Sequence, residues 1–160
     1  MSGCKKARSF FYGYCGVIVL RLSEFILRGV AMKELLGQLL ALELMAKEVH
    51  YSYRGGDFFS VHKLMDEVFS GLSDFRDELS ETVFMGQGAH VPTAIEVIDE
   101  ASEFITVDVS MRSIVDLIDV ILNKLSDGNI RVGEEKVLDD ISAHCRKYRG
   151  LILAQMGVSE

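Results

Sequence analysis

The sequence predicts an all-α fold, a bundle of four long helices, and three observations carry that prediction. Apolar residues recur three or four apart through four separate windows, the period of a helix with one buried face. Apolar content is 49%, with a single proline among 160 residues, a composition that favours long helices over a loop-rich β fold. The breaks between windows hold helix starts and stops: Asp57 ahead of the second, Thr93 before a short segment, and Asp127-Gly128-Asn129 after the third.

The first window carries Leu35, Leu36, Leu39, Leu40, Leu42, Leu44, Met45 and Val49. Its helix is expected to start between Gly29 and Lys33 and to end near Tyr53. That is more apolar surface than one stripe needs, so this helix is either central in the bundle or touches another subunit. Ahead of it, Lys5, Lys6 and Arg8 precede an apolar run at 10–20 (FFYGYCGVIVL). The run is too short to span a bilayer. It mimics a secretory signal without a clear small-x-small cleavage site. Three readings stay open: an extension packed on the rest of the assembly, a vestigial signal, or translated sequence upstream of a start at Met32. The expected division is an extension at 1–31 and one helical domain at 32–156.

The second window starts after the Arg54-Gly55-Gly56 bend, with Asp57 as N-cap. Phe58, Val61, Leu64, Met65, Val68, Phe69, Leu72, Phe75, Leu79 and Val83 keep the helical period, so one long helix is expected, ending between 85 and 88. The loop GQGAHVP follows, with His90 expected in solvent. Thr93 and Glu96 have the form of a capping box, predicting a short helix at about 94–104. The third window, Met111 to Leu125, predicts a helix over 108–126, and the fourth, Val137 to Ile152, a helix over 133–155.

The chemistry concentrates in the stretch from His50 to Glu81. His62 and Asp66 are four apart and share a helix face, as do Asp77 and Glu81. Along a straight helix the steps from His62 to Asp77 span roughly 22 Å, so one copy cannot bring both pairs to one ion. A second copy running antiparallel across a two-fold axis can, and symmetry then makes two identical sites. His50, at the end of the preceding helix, completes the near side. Imidazole with several carboxylates suits iron or a similar borderline-to-hard divalent ion rather than a thiolate-type zinc site. Ligation needs neutral imidazoles and ionised carboxylates, so binding is expected to weaken in acid.

This stretch resembles the Dps proteins, the mini-ferritins described as DNA-binding proteins from starved cells. Their signature is a histidine, a second one twelve residues on within FFS-hydrophobic-H, an acid four later, then D-x-x-x-E. Here these are His50, Phe58-Phe59-Ser60-Val61-His62, Asp66, Asp77 and Glu81. Lys47, Arg54 and Gly55 fit the usual flanks. The resemblance covers about residues 40–155 and is strongest over 47–81. It implies a ferritin-like four-helix bundle with a short extra helix in the crossover between the second and third long helices. It also implies a hollow dodecamer whose two-fold interfaces hold ferroxidase sites. In each, His50, His62 and Asp66 of one subunit would join Asp77 and Glu81 of another to bind iron, with hydrogen peroxide the preferred oxidant. The family's usual tryptophans are replaced by Tyr51 and Arg146, which bears on rate and radical handling more than on binding. His144 reads as structural. Asp108, Asp116 and Asp119 fall where family members line iron-conducting pores, although acids in a helix's first turns also have a dipole rationale.

Net charge is −7, so the body is a poor general ligand for nucleic acid and suits a shell that attracts cations. Some Dps relatives hold DNA with a basic N-terminal tail, and Lys5, Lys6 and Arg8 make a weak version of one. DNA is therefore the secondary partner, behind a homo-oligomer that takes iron, and no membrane is expected. Two alternatives accompany the ferroxidase reading: a DNA-protecting stress protein with secondary iron handling, and a helical scaffold without catalysis. Cys4, Cys15 and Cys145 are far apart, neither a disulfide framework nor a zinc knuckle, and a cytoplasmic setting is the simplest.

Overall fold

Apolar positions at helical spacing do fold as helices. The computed structural model describes residues 8–127 and 133–158, and among these no strand occurs. The elements are α1 (Arg8–Ser52), α2 (Phe58–Phe69), α3 (Leu72–Leu79), a π-helical turn (Ser80–Phe84), a 3-10 turn (Met85–Gln87), α4 (Ala94–Ser102), α5 (Met111–Asp127) and α6 (Glu135–Gln155). Lys5, Lys6, Cys4 and the Gly128-Asn129 stop lie outside the described residues, as do the side chains of the apolar run at 10–20 and of Cys15. The chain divides into two units at Met32/Lys33, and the bundle is built by the second.

Within that unit, α1, the bent α2–α3 segment, α5 and α6 form the four-helix bundle. Leu35, Leu39, Leu42 and Met45 from α1 are fully buried, as are Val61 and Met65 from α2 and Leu72 and Leu79 from α3. Ile114, Ile118 and Ile121 of α5 and Ile141, Cys145 and Ile152 of α6 supply the other half of the core. Burial pushes the Cys145 thiol up to about 12, so it stays protonated as a small apolar core group. Among the described residues no helix is long and apolar enough to cross a membrane.

Several expectations need correction. Helix α1 starts at Arg8 rather than between Gly29 and Lys33. No proline occurs before Pro92, and single glycines cost a helix only about 1 kcal/mol each, so nothing there stops it. The second helix is not one long rod. Ser70 is extended (ψ 128°) and Gly71 left-handed (φ 82°), a conformation natural only to glycine, and the chain bends between α2 and α3. Past Leu79 it widens into the π turn. Asp57 stands at the α2 cap position, but its carboxylate does not cap; it accepts from Tyr53 Oη at 2.6 Å and Gln155 Nε2 at 2.8 Å. Helix α5 starts at Met111 rather than 108. Ser110 and Ser113 cap it reciprocally, with Ser113 N donating to Ser110 Oγ at 3.2 Å and Ser110 N to Ser113 Oγ at 2.9 Å. Helix α6 starts at Glu135 rather than 133.

The crossover helix α4 forms as its capping box requires. Glu96 N donates to Thr93 Oγ1 at 3.3 Å and Thr93 N to Glu96 Oε2 at 2.8 Å. It docks on α1 at a glycine: a Cβ on Gly37 would lie 2.4 Å from Glu100 Cβ and 2.9 Å from the Glu100 carbonyl carbon. Lys33 Nζ meets Glu100 Oε1 at 2.6 Å one turn earlier. At the far side, the partly buried His144 donates from Nε2 to the Val68 carbonyl at 2.8 Å, tying α6 to α2. It is a structural histidine.

Two predictions follow from these contacts. Gly37→Ala must push α4 off α1 and should destabilise the protein by about 1–3 kcal/mol; an unchanged urea midpoint would contradict the close approach. Burial, with the Lys147 charge adding to it, holds the His144 imidazole below the usual histidine range despite the Val68 bond. The unfolded chain then takes up this proton at a higher pH than the folded one. Its contribution is complete above the unfolded histidine value of about 6.5 and is lost as pH falls through the lower folded value. Melting temperature should therefore drop more between pH 7 and pH 5 in wild type than in His144→Gln, and equal slopes would refute this.

Candidate metal centre

The last turn of α1 and the first turns of α2 lie side by side because only a short bend separates them. Gly55 leaves room for the Tyr53–Asp57 contact, since a Cβ would lie 2.8 Å from Tyr53 Oη and 3.0 Å from Asp57 Oδ1. Arg54 Nη1 donates to the carbonyls of Tyr51 and Tyr53 at 2.9 and 2.7 Å, satisfying acceptors that the end of a helix leaves open. The hydroxyl of Tyr53, donating to Asp57, holds that carboxyl below its usual range, and the Gln155 amide adds to this. The bend is thus anchored to α6 as well.

This hairpin brings His50 and His62 together. Their rings stack with centroids 3.6 Å apart at 27°. His50 Nδ1 is 2.9 Å from the His62 carbonyl oxygen, and His62 Nδ1 is 3.0 Å from the His50 carbonyl oxygen. A carbonyl only accepts, so each Nδ1 carries a proton; in the neutral ring Nε2 then holds the lone pair, the arrangement of a metal-ready imidazole. Phe58 lies against His62 (5.3 Å) and Phe69 edge-on to His50 (5.4 Å). His50 is buried and His62 partly so. With Tyr51, Arg54 and Phe58 the two imidazoles line a surface hollow of about 400 Å³.

The acids are placed differently. Asp66 is exposed on α2, one turn on from His62 and on the same face. Asp77 on α3 and Glu81 in the π turn are both exposed. No carboxylate lines the hollow, and no three His, Cys, Asp or Glu groups among the described residues gather closely enough to hold a metal ion. One chain therefore assembles the histidine pair and leaves Asp66, Asp77 and Glu81 open to the outside.

Next to Asp77, Arg76 Nη1 pairs with Glu43 at 2.5 Å, and Lys47 pairs with the same carboxylate at 2.5 Å. Burial pushes the Glu43 carboxyl up, but the bonds from Lys47 and Arg76 outweigh it and hold the group below its usual range. This ion cluster pins α3 to α1. Sequence reasoning missed Glu43 and Arg76 in this role because a charge pair between distant helices has no spacing signature. It also missed Phe58 and Phe69 as walls for the imidazoles, since both fit an ordinary apolar stripe. Of the residues expected to line pores, Asp116 pairs with Arg112 (3.1 Å) and Asp119 with Arg149 (2.5 Å), while Asp108 is exposed. His90 is exposed, 3.5 Å from Glu96. Tyr51, in place of one family tryptophan, is 69% exposed with its ring edge-on to His50 at 4.8 Å; Arg146, in place of the other, is exposed.

Compared with models of protein families, the chain matches none. It is 33% identical over 52 residues to the DNA protection during starvation protein of Helicobacter pylori strain J99. The match takes in 32% of this chain and 36% of that protein, so it spans about a third of the relative's length. In fold it is similar to Dps from Microbacterium arborescens in a high iron form, with a TM-score of 0.70 and 20% identity over 83% of this chain and 94% of that one. It is also similar to Dps from Listeria innocua soaked with zinc, with a TM-score of 0.53 and 18% identity over 80% and 97% of the two chains. The chain is thus similar to a Dps protein over the matched stretch, and its fold is the four-helix bundle of the two Dps structures.

Proposed function

We propose that this protein oxidises ferrous iron at sites shared between two copies of the chain and stores the ferric product as mineral inside a hollow dodecamer. The observation that carries the reading is the His50–His62 pair, two stacked imidazoles at a surface hollow whose proton positions leave both Nε2 atoms able to ligate. Asp66 adds a carboxylate on the same face as His62. Asp77 and Glu81 are exposed and can serve the histidine pair of a second copy, arranged by a two-fold axis. The mixed imidazole–carboxylate set fits ferrous iron as substrate, and the high iron form of the Microbacterium arborescens Dps supports iron as cargo.

Hydrogen peroxide is the preferred oxidant in this reading. Two ferrous ions each give one electron to peroxide, its O–O bond breaks, and two protons complete two waters. Consuming both reagents together removes the source of hydroxyl radicals. Residues 32–156 form the domain that does this, and 1–31 are an extension to it. The name of the Helicobacter pylori relative favours a second reading, protection of DNA. With a net charge of −7 that reading requires a local basic segment, and its signature would be binding that vanishes as salt rises.

The shared site has a test that a site within one chain would fail. His50→Ala and Asp77→Ala should each abolish fast peroxide-dependent iron oxidation while leaving helix content unchanged. Co-assembled one to one, they should regain roughly a quarter of wild-type activity. Half of random pairs are mixed, and in each of these one of the two symmetric sites is intact. Zero recovery in demonstrably mixed oligomers would refute sharing, and full activity in either single variant would refute the site.

A further inference from the structure

The bonding of His50 and His62 closes on itself, and that closure has a consequence for how the ligands are held. A ligating imidazole is normally oriented by a separate carboxylate or carbonyl behind it. Here each ring is oriented by the main chain of the other ligand, at 2.9 and 3.0 Å, and the two rings are in van der Waals contact at 3.6 Å. The His50 carbonyl lies in the last turn of α1, where the helix supplies no donor of its own, so the His62 ring fills a vacancy the fold creates. Phe58 outside His62 and Phe69 at the edge of His50 close the stack at both ends.

We propose that His50 and His62 are each other's positioning residue: each ring's Nδ1–H grips the other residue's main chain across the hairpin, and that grip, with the ring stack, keeps the other ring within reach of its own carbonyl acceptor, so that removing one ring loosens the other even though its acceptor remains. This deepens the reading of both histidines as iron ligands and rests on it for the role of Nε2. The interlock itself is a property of the metal-free protein. It makes the near half of the site preorganised before any ion arrives, and it makes the two ligands non-additive, since deleting either ring removes one of the two bonds across the hairpin and the stack that steady the other. Asparagine is the informative replacement. Its side-chain amide N–H occupies the place of Nδ1–H, so it preserves the bond while removing the ligating nitrogen.

The experiment is solid-state 15N NMR of metal-free protein labelled at histidine, in wild type, His50→Asn and His50→Ala, followed by Co2+ titration of each. The chain has four histidines, and His144, which donates from Nε2 to Val68, supplies the opposite tautomer as an internal reference. In wild type His50 and His62 should both carry the proton on Nδ1. His62 should keep that single tautomer in His50→Asn and lose it to a mixed population in His50→Ala. Both variants lose one ligand, but Co2+ affinity should fall at least roughly tenfold further in His50→Ala than in His50→Asn, the usual effect of losing an orienting partner. Wild-type rings protonated on Nε2, or a His62 tautomer indifferent to His50→Ala, would overturn the proposal. If His50→Ala does not fold, the wild-type tautomers and the His62 signal in His50→Asn still decide. Confirmed tautomers without iron oxidation would sink the ferroxidase reading and leave the interlock standing; the converse result would do the opposite.

Discussion

Two hydrogen bonds hold the candidate site together: His50 and His62 each donate to the other's main chain across the α1–α2 hairpin. They depend on the bend between the helices, where Asp57 is held by both Tyr53 and Gln155. A carboxylate that could have capped α2 instead fastens the bend to the end of α6. The order of dependence runs from the core, through α6 and the bend, to two imidazoles facing a shallow hollow. Each ring satisfies its Nδ1–H inside the protein and leaves Nε2 facing outward from that bond.

The acidic side of the site follows another logic. Asp66, Asp77 and Glu81 are exposed, open to a second copy of the chain rather than gathered within one. Arg76 and Lys47 converge on Glu43 rather than on Asp77. Their pairing fixes α3 against α1 and leaves the outward carboxylates uncommitted. The π turn at Ser80–Phe84 carries Glu81, and such turns recur where a helix must re-aim a functional side chain.

How much of this could be read from residues alone depends on the range of the physics involved. Periodic burial is local, so the helices and their inward faces were legible, as was the Thr93–Glu96 capping box. The Ser70-Gly71 bend was missed because the apolar period continues across it, although a Ser-Gly pair is a recognisable place for a helix to kink. The start of α1 was misplaced because the apolar run at 10–20 was set apart as an extension, although no proline separates it from the helix. Asp57 was given a cap's role because a cap is a local bond, whereas it bonds back to Tyr53 and across to Gln155, which is distant in sequence. The reciprocal histidine bonds were not legible at all. Spacing put both rings near one another, but only coordinates reveal which nitrogen faces which oxygen.

The central claim is that imidazoles from one copy and carboxylates from another meet on the same ion. Crystals of the assembled protein soaked with ferrous iron without oxidant, with anomalous scattering recorded across the iron absorption edge, test it directly. The account predicts an iron peak at each two-fold interface, bound on one side by the Nε2 atoms of His50 or His62 with Asp66 and on the other by Asp77 and Glu81 of a second copy. Iron bound elsewhere, or a two-fold arrangement that keeps Asp77 and Glu81 away from the histidine pair, would contradict it.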